Sequence, residues 1–274
     1  MKAIDKLQIK NKEGKFICVG LDSDISKIPR HLHKFSNPIL EFNKLIIESC
    51  SEYAAAFKFN FAFYERDGFK LIDTIRESLL QIPKDILVIA DAKRGDIGNT
   101  SEMYSKAILD DLNFDSITVN PYMGEDSVSP FLQNQDKLTF ILALTSNPGA
   151  KDFEKLKLEN GKYLFQHVIE KINIWNHKKN CGIVFGATNT NELKENLILF
   201  GDLPVLLPGI GAQGGSLTEV ISTFMNAKRK DYLINVSRSL IYKSDEIDFA
   251  EQSKKEIINL NNQIEKLYNK ENNN

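Results

Sequence analysis

The sequence predicts a single (β/α)8 barrel of the TIM type, and three observations lead to it. Eight short apolar runs alternate with segments of helical spacing along the 274 residues. The runs are apolar throughout rather than alternately polar, which is typical of parallel strands that are covered on both faces. A barrel of this kind needs about 250 residues, so residues 1–274 accommodate one such domain. A doubly wound open sheet is the alternative architecture.

The eight predicted strands stop at polar, proline or glycine residues. The run Ile86–Ala90 is typical, because it is short, rich in β-branched residues and begins directly after Pro83, Lys84 and Asp85. In chain order the predicted strands are Phe16–Leu21, Ala55–Asn60, Ile86–Ala90, Ser116–Tyr122, Leu138–Ser146, Gly182–Thr188, Pro204–Gly211 and Tyr232–Ser237.

Segments with helical spacing lie between these strands. The first of them starts at Pro38, whose fixed φ suits the first turn of a helix. Residues 1–15 are predicted to be an extension before the barrel, and residues 268–274 a frayed tail. The predicted helices are Pro38–Tyr53, Phe69–Leu80, Ser101–Leu112, Tyr163–Trp175, Asn191–Phe200, Leu217–Ala227 and a long polar helix after Asp248.

Composition and charge indicate a soluble cytoplasmic protein. The net charge of -2 gives no general attraction to nucleic acid or to acidic membranes. No apolar run approaches the roughly 18 residues that a membrane span needs, and residues 1–15 lack the apolar segment of a signal peptide. Cys18, Cys50 and Cys181 are widely spaced without a CxxC pair, so they indicate neither a disulfide framework nor a zinc site.

Ionisable residues begin where the strand Ile86–Ala90 stops. Asp91 and Lys93 are two residues apart, so their side chains would share one face of a regular strand. Asp96 supplies a second carboxylate within the segment DAKRGDIGNT, Asp91–Thr100. Charges at the carboxyl end of a buried parallel strand are where α/β folds place their chemistry, which favours an active site over a solvated loop.

Other predicted strands also carry polar residues at their ends. Asp22, Asn60, Ser146 and Arg238 end or follow the first, second, fifth and eighth strands. Lys58 lies inside its strand among phenylalanines, where its ammonium group must reach water or a carboxylate. In a closed barrel these positions meet at one face, and this convergence favours an enzyme.

The glycine-rich segment Gly209–Gly215, GIGAQGG, suits an anion site. Glycine backbone brings several N–H groups close to a phosphate, and the helix after this segment contributes its positive end. Arg238 ends the next strand, where its guanidinium group is able to hold a phosphate with two hydrogen bonds, and Gln213 is a further donor. Loops after the seventh and eighth strands are the usual phosphate site of such barrels.

Six separate motifs, in one order, closely resemble the orotidine 5'-phosphate decarboxylase family, in particular its subgroup with VGLD and TSNPG motifs. The resemblance spans Phe16 to about Leu240. The motifs are VGLD ending at Asp22, FKFN from Phe57, DAKRGDIGNT from Asp91, LTSNPG from Leu144, PGIGAQGG from Pro208 and NVSR from Asn235.

The resemblance implies a decarboxylase that uses neither a cofactor nor a metal. Its substrate would be orotidine 5'-monophosphate and its products uridine 5'-monophosphate and CO2, in the last step of de novo pyrimidine synthesis. By the same resemblance a charged tetrad carries the catalysis, and its members are Lys58, Asp91, Lys93 and Asp96.

The resemblance also implies the substrate contacts and a homodimer with shared active sites. The subunit next to each site would contribute Asp96, Ile97 and Thr100. The ribose would be held by Asp22 and Asn60, the phosphate by Gln213 and Arg238, and the amide edge of the pyrimidine by Ser146 or by Thr145 beside it. Further substrate-binding positions are Pro208, Gly214 and Asn235.

The residue types suit this reaction. Loss of CO2 from the pyrimidine ring leaves negative charge on a carbon without an electron sink, so fixed positive charge must stabilise it. Lys93, flanked by carboxylates, is expected to stay an ammonium group and to donate a proton to the carbanion. Asp91 would orient Lys93, and the substrate carboxylate close to Asp91 and Asp96 would be destabilised.

Three other functions would use a similar pattern. A magnesium-dependent relative acting on 3-keto-gulonate 6-phosphate needs a second metal ligand beside Asp91, and the sequence offers no convincing one. A Schiff-base aldolase needs a neutral amine at Lys93 or Lys58, which adjacent carboxylates oppose. A barrel that only binds nucleotides would show binding without turnover.

Overall fold

Eight parallel strands close into a barrel in which neighbours in the chain pair with each other and the last strand pairs with the first. The computed structural model describes residues 1–66, 68, 70–210 and 214–271. The closed order confirms the predicted (β/α)8 barrel and excludes the open sheet. The strands are β1 (Ile17–Leu21), β2 (Ala56–Asn60), β3 (Leu87–Arg94), β4 (Ser116–Val119), β5 (Leu138–Leu144), β6 (Cys181–Phe185), β7 (Val205–Pro208) and β8 (Tyr232–Val236).

Most strands end earlier than the apolar runs suggest. β4 stops at Val119 and β5 at Leu144, whereas the predicted strands continue to Tyr122 and Ser146. Proline and short polar residues come next in both places, and they favour turns over a continued ladder. β3 differs, because it runs past Ala90 to Arg94 and so carries the first charged residues within the strand. The predicted end of the seventh strand, Gly211, lies outside the described residues.

The helices of the described chain are α1 (Ala3–Lys12), α2 (Pro38–Cys50), α3 (Phe61–Glu65), α4 (Lys70–Leu79), α5 (Gly98–Ser105), α6 (Glu125–Val128), α7 (Leu164–Trp175), α8 (Thr190–Asn196), α9 (Leu217–Asn226), α10 (Arg238–Ile241) and α11 (Phe249–Glu271). A π-helical segment, Lys106–Asp111, extends α5. Phe69, the predicted start of the second predicted helix, lies outside the described residues. Among these helices none is both long and apolar enough to cross a membrane.

Helix α1 lies within the predicted N-terminal extension. It covers the barrel at the amino ends of the strands, which form the floor of the barrel. Its buried Leu7 packs with side chains that fill the barrel interior. Lys6 contacts Asp115 at 2.7 Å, and Lys10 contacts Asp85 at 2.6 Å, so two ion pairs fix the helix to loops that precede strands. Leu7 and Ala3 of the helix share one buried cluster with Cys18, Ala55, Ala56, Leu87, Ile89, Leu138, Phe140, Val184, Leu206 and Leu233. The opposite end of the barrel therefore rests on an apolar core.

Candidate active site

A cavity of about 310 Å³ opens at the carboxyl ends of the strands. Its size suits a small organic ligand, and its walls combine apolar and charged side chains. Most of the predicted site residues line it, namely Asp22, Lys58, Asn60, Asp91, Lys93, Thr145, Ser146, Pro208, Asn235 and Arg238. The convergence expected from the strand ends is therefore present.

A buried ion pair joins β2 to β3 in the wall of this cavity. Lys58 Nζ donates to Asp91 Oδ2 at 2.8 Å and lies 3.8 Å from Asp22 Oδ1. Burial alone would favour the neutral amine, but the carboxylates of Asp91 and Asp22 outweigh it and raise the pKa of Lys58 above its ordinary value. The lysine that the sequence places among phenylalanines therefore reaches a carboxylate, as expected.

The second oxygen of Asp91 is also fully occupied. Asp91 Oδ1 accepts hydrogen bonds from Lys93 Nζ at 2.5 Å and from Thr118 Oγ1 at 3.0 Å. Burial would favour the protonated acid, but the ammonium groups of Lys58 and Lys93 dominate and hold the pKa of Asp91 well below its usual range. Asp91 is thus an ionised carboxylate between two lysines, which is a preorganised charge array.

A bulge in β3 brings Asp91 and Lys93 together. Ala90 pairs with Ile117 and Arg94 with Val119, so three residues of β3 lie opposite Thr118 alone. Lys93 has a φ of 46°, in the left-handed region, which costs about 1 kcal/mol for a residue with a side chain. The contact with Asp91 agrees with the expectation from strand alternation, but the bulge rather than a regular strand produces it.

The wall between β1 and β8 carries polar atoms that have no hydrogen-bond partner among the described residues. They are Asp22 Oδ1, Asn235 Oδ1 and Ser237 Oγ, and all are buried. Gly20 lets the two strands approach, because a Cβ there would lie 2.7 Å from Ser237 Cβ. Buried polar atoms are normally paired, so these atoms indicate a polar ligand on this side of the cavity.

Thr145 and Ser146 differ in what they offer the cavity. Glu154 accepts from the backbone N–H of Thr145 at 2.7 Å and lies 2.8 Å from the hydroxyl, which is also 2.6 Å from Asn147 Oδ1. The hydroxyl of Thr145 is therefore engaged by its own loop. Ser146 comes next along the same wall, against the end of β6, where a Cβ on Gly186 would come within 2.7 Å of its backbone nitrogen.

The predicted phosphate end of the cavity lies between β7 and β8. Pro208 and Arg238 both line it, and Gly209 and Gly214 adopt φ values of 106° and 84°, which glycine tolerates. Gly215 donates its N–H to Gly209 O at 3.0 Å, so the two ends of the glycine-rich loop are tied together. Gln213, the further predicted donor, lies outside the described residues.

Asp96, Ile97, Thr100 and Gly214 do not line the cavity of this chain. Asp96 Oδ1 accepts from the backbone N–H of Ile97 at 2.7 Å, and the side chain of Ile97 is 57% exposed at the start of α5. Arg94, between Lys93 and this turn, is directed outward to Glu65 and lies over the ring of Tyr104. The segment from Asp96 to Thr100 therefore lies outside the cavity of its own chain, with Ile97 exposed.

Thr118 is a cavity residue that the motifs leave unassigned. Its signal in the sequence is a hydroxyl inside the apolar run SITV, comparable to Lys58 in AFKFN. Strand alternation alone does not reveal its role, because its two partners meet it only through the bulge of β3.

Comparison with known proteins gives one consistent result. Residues 15–252 match the model of the orotidine 5'-phosphate decarboxylase / HUMPS family. The orotidine 5'-phosphate decarboxylase of Flavobacterium johnsoniae is 46% identical over 92% of this chain and 93% of its own. The structure of Leishmania donovani OMP decarboxylase superposes with a TM-score of 0.81 at 35% identity, covering 95% of this chain and 99% of that one. That of the Methanocaldococcus jannaschii enzyme complexed with the inhibitor BMP gives 0.66 at 26% identity, covering 90% and 99%.

Proposed function

The chain belongs to the orotidine 5'-phosphate decarboxylase / HUMPS family, and we propose that the cavity at the mouth of its barrel is where it decarboxylates orotidine 5'-monophosphate to uridine 5'-monophosphate and CO2. The observation that carries this assignment is the array in which Asp91 bridges Lys58 and Lys93. A carboxylate held between two ammonium groups suits a reaction that develops a carbanion, because the charges are in place before the bond breaks.

The substrate would lie across the cavity with its phosphate toward Arg238 and the glycine-rich loop. Gln213 and Gly214 belong to this end by sequence, and Pro208 lies in its wall. Asp22 and Asn60 would hold the ribose, and the Oδ1 atoms of Asp22 and Asn235, which make no hydrogen bond among the described residues, support polar contacts there. Ser146 or Thr145, which both line the cavity, would contact the amide edge of the pyrimidine.

In the chemical step the bond between C6 and the carboxyl carbon breaks, CO2 leaves, and the electron pair stays on C6. Lys93 Nζ then gives a proton to C6, and the neutral amine recovers a proton from solvent. Asp91 places the ammonium group through its 2.5 Å contact with Lys93. The same carboxylate, fixed in its ionised form by Lys58, would lie near the carboxylate of the substrate and raise its energy before the bond breaks.

We also propose that the functional unit is a homodimer. Asp96, Ile97 and Thr100 lie outside the cavity of their own chain, at the start of α5. Ile97 and Met103 expose 57% and 55% of their surface, and exposed apolar side chains next to such a turn favour a protein partner. A second copy of this chain would cover them and receive Asp96 beside its own Lys93.

A cytoplasmic location fits the cysteines. Cys18, Cys50 and Cys181 are free thiols buried in the fold. Burial raises the pKa of Cys18 and of Cys181 to about 12, so both stay unreactive thiols at neutral pH.

The proposal is tested by monitoring the absorbance of orotidine 5'-monophosphate with purified protein that has been treated with a chelator. We expect full conversion to uridine 5'-monophosphate without added metal. Turnover that disappears with chelator and returns with Mg²⁺ would favour the enediolate chemistry of a metal-dependent relative. Trapping of a substrate adduct on Lys93 by borohydride would favour a Schiff base.

A further inference from the structure

Thr118 lies at the one point where β3 departs from regular pairing with β4. Three residues of β3, from Asp91 to Lys93, face this single residue of β4. The side chain of Thr118 is buried and points to the cavity, next to the charge array. Its hydroxyl lies between the backbone of Lys93 and the side chain of Asp91.

The directions of these two hydrogen bonds are fixed by their partners. The backbone N–H of Lys93 donates to Thr118 Oγ1 at 3.0 Å, and a backbone nitrogen is only a donor. Thr118 must then use its own hydrogen elsewhere, and it donates to Asp91 Oδ1 at 3.0 Å. An ionised carboxylate only accepts, so the set is complete when Asp91 is charged.

We propose that Thr118 is a positioning residue for the decarboxylation, because its hydroxyl holds the backbone of Lys93 and the carboxylate of Asp91 in one arrangement. The bulge leaves the N–H of Lys93 without a regular strand partner, and the hydroxyl replaces that partner. The left-handed backbone of Lys93 directs its side chain back to Asp91. Thr118 acts through these two groups and not on the substrate, and the inference rests on the proposed function of the same site.

Removal of the hydroxyl with retention of the shape isolates this role. In Thr118→Val the N–H of Lys93 and one lone pair of Asp91 Oδ1 lose their partner, while the volume of the side chain is kept. The ammonium group of Lys93 then has more freedom relative to the reacting carbon. We expect kcat to fall about 10- to 100-fold, the range of a lost hydrogen bond to a charged group. Binding of ribose and phosphate uses other residues, so KM and the Kd of uridine 5'-monophosphate should stay within about threefold.

Two further comparisons separate the effect of the hydroxyl group on kcat from the effect of side-chain packing. Thr118→Ser and Thr118→Ala both lose the methyl group and differ only in the hydroxyl, so the serine variant should be about tenfold faster or more. Thr139→Val makes the same change as Thr118→Val at a buried β5 threonine that donates to Phe131 O at 3.1 Å, away from the charge array. Its kcat should stay within about twofold of the wild type.

The possible results distinguish a failure of the proposed function from a failure of the role assigned to Thr118. A wild-type protein without turnover would defeat the proposed function itself. Wild-type turnover with Thr118→Val within threefold of it would overturn the role of Thr118 alone. Serine and alanine variants with equal kcat would show that packing, not the hydroxyl, is responsible. If Thr118→Val does not fold by circular dichroism, the serine and alanine pair still gives the answer.

Discussion

Lys58 Nζ lies 2.8 Å from Asp91 Oδ2, and the two side chains are only 4% and 12% exposed. Lys58 pairs with Ile89 in the sheet, whereas Asp91 pairs with Asn60, so the lysine starts one layer below the carboxylate and its stem spans that layer. The same contact therefore belongs both to the barrel core and to the site. Changes to it should affect stability and turnover together.

Removal of Lys58 from this pair should be costly. Lys58→Met leaves Asp91 in a buried position with Lys93 as its only remaining cation, and breaking a buried pair costs about 3 kcal/mol or more of unfolding free energy. Urea titration measures this loss of unfolding free energy. Lys44→Met is the matched control, because Lys44 and its partner Glu41 are 34% and 32% exposed and their contact should contribute under about 1 kcal/mol. Equal losses of unfolding free energy in the two variants would show that the buried pair stabilises the fold no more than the partly exposed one.

The stability of the fold should depend on pH through both Asp91 and Lys58. The pKa of Asp91 is lowered in the fold, so its contribution is present above the unfolded value of about 3.9 and is lost as pH falls below it. The pKa of Lys58 is raised, so its contribution is present below about 10.4 and is lost as pH rises beyond that. The stability advantage of the wild type over Asp91→Asn should shrink below about pH 4, and that over Lys58→Met above about pH 10.

Denaturant titrations at pH 3, 6, 9 and 11 test the expected loss of stability at acid pH and at alkaline pH. An advantage over Asp91→Asn that is no smaller at pH 3 than at pH 6 would mean that folding does not lower the pKa of Asp91. The buried pair would then be weaker than its geometry indicates.

Helix α1 should stabilise the barrel without taking part in the reaction. Leu7 is fully buried in the barrel floor, so Leu7→Ala should cost about 3 kcal/mol of unfolding free energy, whereas kcat should hardly change. Ile9 in the same helix is 39% exposed, and Ile9→Ala should cost less than about 1 kcal/mol. Guanidinium titration and turnover of the folded variants give both readings. Similar costs for Leu7 and Ile9 would mean that α1 does not pack on the floor in solution.

Lys93 should be dispensable for folding but not for turnover. Its side chain is 50% exposed, so Lys93→Ala removes little packing. Loss of the proton donor and of the nearby positive charge should lower kcat about 10³-fold or more. Isothermal titration with uridine 5'-monophosphate should still show binding through the ribose and phosphate contacts. A variant that keeps a tenth of the wild-type kcat would exclude Lys93 as the proton donor.

Periodicity and the residues at strand ends were enough to predict the barrel and most of its mouth. Parallel strands buried on both faces read as apolar runs, and the order of a closed barrel sends every carboxyl end to one mouth, so Asp22, Lys58 and Asp91 were found together. Helix α1 was not predicted, because a charged helix with few buried residues has a weak apolar pattern.

The bulge of β3 and the role of Thr118 were beyond the reach of the sequence. Both depend on the register of two strands, which no local pattern records. The contact of the Thr145 hydroxyl with Glu154 is likewise absent from the motif, because it depends on how the loop after β5 folds.

The assignment of Asp96 to a neighbouring site can be tested by mixing two inactive chains. Lys93→Ala and Asp96→Ala are each expected to be strongly impaired as homodimers. Coexpressed with different tags, they form mixed dimers in which one site carries both substitutions and the other carries neither. Random pairing makes half the dimers mixed, so about one quarter of all sites should be intact and the mixture should reach about one quarter of wild-type activity. If Asp96 served its own subunit, every site would contain one substitution and the mixture would be no more active than its parents. The position of Asp96 outside the cavity of its own chain favours the first result.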